Sequence, residues 1–154
     1  MQSDQVMRHW HGQSFSAPAF MHAILCLSAV QLGVLHPERT EYVALAMHHR
    51  IESMSAIQAS LRDPKKMADD ATIAAVFNLL CVEENISLPS FASVLSKTHL
   101  RSDPAQRIAH MNGLRQLIRM RGGLQGLKSH KGLLSFVMRF VTHLHTIFSP
   151  SASR

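Results

Sequence analysis

The stretch from Asp103 to Gly123, DPAQRIAHMNGLRQLIRMRGG, decides the fold class. Asp103-Pro104 supplies a helix N-cap followed by proline at the first helical position, where a missing amide costs nothing. Ile108, Met111, Leu114, Leu117 and Ile118 recur every three or four residues and make one apolar face. Gly122-Gly123 then stops the helix, because glycine enters the left-handed C-cap conformation at little steric cost. Arg119 and Arg121 fall in the last turn, where the helix dipole favours cations. Start, face and stop of one helix are all written into this segment.

Upstream, prolines punctuate further helical stretches. Ser16 is expected to cap a first helix with Pro18 in its first turn. Ala17 to Leu35 carries no formal charge until His36-Pro37 ends it. Its length approaches a membrane span of about 20 residues. His22, Ser28, Gln31 and Gly33 dilute it, however, and no basic flank lies close to its N-terminal side. It reads as a bundle helix that is apolar on most sides, and no membrane is expected as a partner.

A second helix is expected over Glu38 to Leu61, ending before Asp63-Pro64, with its stripe at Val43, Met47, Ile51, Met54 and Leu61. A third begins at Asp69 or Asp70, either of which can accept first-turn amides and complement the dipole. Ile73, Val76, Phe77 and Leu80 form its buried face, and it is expected to fray at Glu83-Glu84-Asn85. Those glutamates sit at the unfavourable end of a helix dipole, so a positive neighbour should compensate them.

The remainder is less regular. Residues 86–103, with Pro89 and five serines, read as a loop or insertion. A link over Leu124 to Lys131 leads to a fifth helix from about Gly132 to Phe148. That helix is apolar on two faces, so the second face needs a missing segment or a partner. No run alternates apolar and polar residues as a strand would, and no period of 20–50 residues repeats. The fold class is all-α, an irregular bundle of about five helices over 17–148. A mobile segment, 1–16, and a tail, 149–154, flank it.

Composition agrees and narrows the function classes. At 154 residues the chain fits one domain. Its 46% hydrophobic content is too high for a wholly disordered chain, and 17% charged residues are too few for a coiled coil. Two cysteines exclude a disulfide-rich scaffold and a multi-cysteine zinc cluster. The opening Met1-Gln2-Ser3-Asp4 lacks the basic start and apolar core of a signal peptide. The net charge of +6 is uneven. Up to Ser96 there are six basic residues against nine acidic ones; from Lys97 onward there are ten basic residues and one acid, Asp103.

No catalytic constellation emerges. His9-x-His11, His48-His49, His143-x-His145 and His22 with Cys26 are the close groups, but a zinc site needs three or four converging ligands. His48 and His49 point about 100° apart on a helix and cannot chelate as a pair. Cys26 and Cys81 lie within apolar helix faces, where free cysteine acts as a small hydrophobe. Neither a nucleophile elbow nor a glycine-rich phosphate loop occurs. No enzyme, metal or cofactor is expected. Direct nucleic-acid binding is disfavoured too, because Trp10 and Tyr42 are the only large polar aromatics to accompany the charge.

Three segments together resemble the regulatory domain of fungal-specific transcription factors of the zinc-binuclear-cluster kind. They are Pro18-Ala19-Phe20-Met21-His22-Ala23-Ile24-Leu25-Cys26-Leu27-Ser28-Ala29, then Asp69-Asp70-Ala71-Thr72-Ile73-Ala74-Ala75-Val76 with Glu83-Glu84, and His110-Met111-Asn112-Gly113-Leu114-Arg115-Gln116-Leu117-Ile118-Arg119-Met120-Arg121-Gly122-Gly123-Leu124. The resemblance implies an all-helical, non-enzymatic, nuclear effector domain that modulates transcription through ligands, partners or intramolecular contacts. Two departures stand out: the six-cysteine zinc cluster is absent, and 86–103 is longer than the expected connection. The chain therefore reads as a fragment or truncated relative, with a generic interaction module as the alternative.

The expected interface residues are Arg115, Arg119, Phe136 and Phe140. At 100° per residue the two arginines lie beside the apolar stripe, placed to flank an interface or to reach Glu83 and Glu84. Partners are a protein, a missing part of a longer chain, or a second copy. Asp70, Gly113, Gly122 and Gly123 are the expected structural positions. Gly113 costs roughly 1 kcal/mol against alanine inside a helix, which suggests close helix packing there.

Overall fold

The computed structural model describes residues 16–86, 103–128, 132–135 and 137–138, and among them there is helix and turn but no strand. Four long helices follow in order: α1 Pro18–Leu35, α2 Glu41–Leu61, α3 Asp70–Ile86 and α4 Pro104–Met120. A short α5, Gly123–Gly126, follows the glycine pair, and residues 132–135 and 137–138 are again helical. The all-α reading holds. Of the expected loop at 86–103, residues 87–102 lie outside the described residues, as does the outer part of the fifth helix, with Phe136 and Phe140.

α1 starts one residue later than a Ser16 cap would require. Ala17 is the N-cap in an extended conformation, without a side-chain hydrogen bond, and Pro18 opens the helix. Extended backbone is what a residue before proline prefers. α2 also starts later than expected, at Glu41, because Arg39 N–H donates to the His36 carbonyl at 3.0 Å and holds the chain in a turn. That turn folds α2 back along α1. Ser53 Oγ donates to the Ala19 carbonyl at 2.8 Å, and His22 meets His49 at 2.9 Å, so the two helices run antiparallel. α3 and α4 are antiparallel as well, with Asp70 on Arg121 and Glu83 on His110.

α3 is the central helix. Ile73, Ala74, Ala75, Val76, Phe77, Leu79, Leu80 and Val82 are all buried, on more than one face, as a helix packed on several sides requires. α1 brings Ala19, Phe20 and Ala23 to it; α4 brings Leu114 and Leu117; and Leu127, Leu133 and Val137 close the same core. A smaller cluster, Cys26, Ala29, Val30, Ala46 and Val82, fills the other end of the α1–α2 hairpin. α1 is long and apolar enough to cross a membrane by length and composition, yet seven of its residues are buried inside this fold.

The buried face of α2 differs from the expected stripe. Ala46, Ser53 and Ile57 face inward, while Ile51 is 62% exposed and Leu61 is exposed too. Small side chains at Ala19, Ala23, Ala46 and Ser53 let the two helices approach closely. A hydrophobicity pattern tracks large apolar residues and passes over such positions.

Capping follows the sequence closely. Asp69 Oδ1 accepts from the Thr72 amide at 2.7 Å and is the true cap of α3. Asp103 accepts from the Ala105 amide at 2.9 Å at the start of α4. Gly122 and Gly123 take φ of 94° and 73°, the left-handed region expected of them. Gly126, which passes unremarked in the sequence, is equally constrained, because a Cβ there would run into the Arg121 carbonyl. Gly113 is the opposite case. Among the described residues nothing lies within 4 Å of a Cβ added there, so they show no close helix packing at that position. Gly113→Ala should therefore stabilise the chain by about 1 kcal/mol, the ordinary helix-propensity difference. A thermal melt showing a loss instead would mean that something packs against this glycine.

Candidate functional site

Polar groups of the bundle fall into two sets: those that tie helices together and those left facing outward. Glu83 sits in the last turns of α3 and is only 2% exposed. A carboxylate near a helix C-terminus opposes the dipole, and burial adds to the cost. Two neighbours offset it. His110 Nδ1 on α4 donates to Glu83 Oε1 at 2.7 Å, and Arg50 Nη2 on α2 donates to the same oxygen at 3.4 Å. Arg50 Nη2 also donates to Gln106 Oε1 at 3.3 Å. One carboxylate thus clamps α2, α3 and α4.

The expected compensation of Glu83 is therefore real, but its source differs. Arg115 and Arg119 do not supply it; both are exposed on the face of α4 turned away from Leu114 and Leu117. Of the expected stripe on α4, Ile108 alone faces outward. Ile108 is 60% exposed and drops out of the buried face, which runs through Met111, Leu114, Leu117 and Ile118; Arg115 lies to its side and Arg119 further round towards the outside. Arg121, about half a turn beyond Arg119, does turn inward. Its Nη2 donates to Asp70 Oδ1 at 2.9 Å, locking the end of α4 to the start of α3. Asp70 holds the structural place expected of it, through an ion pair rather than as the helix cap.

Histidines gather where α1 and α2 cross. His22 Nδ1 and His49 Nδ1 lie 2.9 Å apart, and the His48 ring is 5.1 Å from that of His49. Burial holds the His49 pKa below its ordinary value, with the neighbouring His22 and His48 acting in the same direction and Glu52 opposing them. Among the described residues, no group of three or more His, Cys, Asp or Glu side chains is arranged to hold a metal ion.

The His49 shift carries a pH dependence. An unfolded chain protonates this histidine near the ordinary value of about 6.5, above its folded pKa. The stability His49 contributes is fully present above that pH. It is lost as pH falls towards and through the lower folded value. His49→Gln should flatten the decline of the melting midpoint below pH about 6.5 relative to wild type. Parallel curves for the two proteins would contradict this.

Cys26 is buried, and burial pushes its thiol up to about 11 despite the opposing charge of Arg50, so it stays protonated and inert. A cavity of about 320 Å³ opens between the start of α1, the end of α2 and the start of α3, lined by residues including Ser16, Ala56, Ser60, Asp63 and Thr72. Two of its polar groups are engaged locally: Thr72 Oγ1 donates to the Lys66 carbonyl at 2.9 Å and Asp63 Oδ1 accepts from the Lys65 amide at 3.0 Å.

Against this geometry, the sequence profile of the fungal-specific transcription factor domain matches residues 12–154. The chain belongs to the fungal-specific transcription factor domain family. The match takes in all three segments that carry the resemblance, and also residues 86–103, the expected insertion. No curated protein and no solved structure matches the chain significantly. Membership of a fungal-specific transcription factor family gives the chain a transcription-regulator-like role, and such domains are in general non-enzymatic.

The outward face of α4 is thus the one expected site whose residues are both described and exposed. It presents Ile108, Arg115 and Arg119 on one line of the helix, with Asn112 beside them. Arg115 makes one long hydrogen bond, at 3.4 Å, to Asn112 on its own helix.

Proposed function

We propose that this fungal-specific transcription factor domain is an effector module that works by protein contact, in the nucleus, without enzymatic chemistry. Its two cysteines cannot build a six-cysteine zinc cluster, so DNA recognition of that kind would have to come from other polypeptide. One observation carries the reading. The ionisable groups of the described core, Glu83, Arg50, His110, Asp70 and Arg121, are spent on joining helices, while α4 keeps a charged face outside. A fold built this way is suited to holding a surface in place.

The test is a tethering assay. Fused to an unrelated DNA-binding module, the domain should raise or lower transcription of a reporter that carries the module's site. The unfused domain should show no salt-sensitive binding to duplex DNA. A reporter unaffected by the fusion would overturn the proposal.

A further inference from the structure

Charge accounting around α4 identifies the kind of partner its outer face accepts. From Ser87 to Arg154 the sequence contains a single acidic residue, Asp103. That carboxylate is already used on the Ala105 amide. Acids elsewhere are also engaged: Asp70 with Arg121, Glu83 with Arg50 and His110, Asp69 with the Thr72 amide, Asp63 with the Lys65 amide, Glu41 with Arg39 and Glu38 with His36. Glu52 lies on α2, beside His49. Residues 87–102, 129–131 and 139–154 contain no acid and so supply no carboxylate to Arg115 or Arg119; the two acids that remain in the chain are Asp4 and Glu84.

Arg115 and Arg119 are one helical turn apart, and Ile108 lies two turns before Arg115 on the same line. Ile108 is 60% exposed. The surface is therefore two cations with an exposed apolar side chain at one end of their line. The geometry points to an acidic, amphipathic protein segment as its occupant, carrying carboxylates a helical turn apart with a large apolar residue beyond them. This deepens the proposed effector role and rests on it. Arginine favours carboxylates because its planar fork can meet both oxygens. Exposed apolar side chains add contact area that a phosphate backbone would leave unused.

The experiment uses the full chain and a short fluorescent peptide with glutamate pairs around phenylalanine and leucine. Competitors are a duplex DNA and the same peptide with glutamine for glutamate. Wild type should bind the acidic peptide, and neither competitor should displace it. Arg115→Glu with Arg119→Glu should weaken binding by about tenfold or more. Ile108→Ser should weaken it by a smaller factor, and Arg62→Glu, exposed at the end of α2, should leave it unchanged. All these positions are exposed, and matching thermal melts would show that the fold is intact. No peptide binding, equal binding by the double variant, or displacement by DNA would each overturn the inference. If the tethered domain still regulates its reporter in that case, the effector reading stands and only this partner class fails.

Discussion

Replacing Glu83 by alanine is expected to destabilise the chain by about 3–5 kcal/mol, the cost of breaking a buried ion pair from one side. The carboxylate lies at the junction of three helices, accepting from His110 at 2.7 Å and Arg50 at 3.4 Å. Removing it leaves the Arg50 side chain, itself only 15% exposed, facing the neutral Gln106. For a chain of this size the melting midpoint should fall by about 10 °C. Glu83→Gln keeps one acceptor for His110 and should lose less. Replacing all three members by apolar residues of similar volume (Arg50→Met, Glu83→Leu, His110→Leu) should recover much of the loss, because no charge is then stranded. A loss below about 1 kcal/mol for Glu83→Ala would mean that water reaches the cluster and screens it.

The second large effect separates the two readings of the α1–α2 hairpin. Phe20 is 1% exposed in the core between α1 and α3, so Phe20→Ala should cost about 3–5 kcal/mol through lost burial and the cavity it leaves. Ile51 belongs to the apolar stripe predicted from sequence yet is exposed, and Ile51→Ala should stay within about 0.5 kcal/mol of wild type. Chemical denaturation of the two variants beside wild type decides the matter. Comparable losses at both positions would restore the stripe through Ile51 and require α2 to be rotated.

What was legible in the sequence is what local chemistry controls. Proline at Pro18 and Pro104, the carboxylates of Asp69 and Asp103, and the glycines at 122 and 123 each act within a turn of their own position. The four long helices could therefore be bounded to within about three residues, whereas the short helix Gly123–Gly126 falls where a link was expected. The dense apolar run of α3 also announced its burial, because nearly every direction around that helix is apolar. Faces of α2 and α4 were harder. Their cores rest on few large residues, and inward positions such as Ala46 and Ser53 look neutral in any hydrophobic pattern.

The charged network was half legible. Glutamates at a helix C-terminus demand a cation, and that demand could be read from position alone. Which cation answers it depends on how α2 and α4 pack on α3, over sequence separations of 33 and 27 residues. Nothing in a single sequence encodes that choice locally. For the same reason Arg121, which is separated from Asp70 by 51 residues, gave itself away only as a favourable last-turn charge. Arg115 and Arg119 are the other case: no acid follows them in the sequence, and both are exposed on α4.

The most direct measurement combines fold and function in one variant. Arg115→Glu with Arg119→Glu is tethered beside a reporter, and its purified form is melted in parallel with wild type. The expected result is an unchanged melting midpoint with the effect on transcription lost. An unchanged midpoint with full regulatory effect would contradict the claim that the outer face of α4 is where this domain meets its partner.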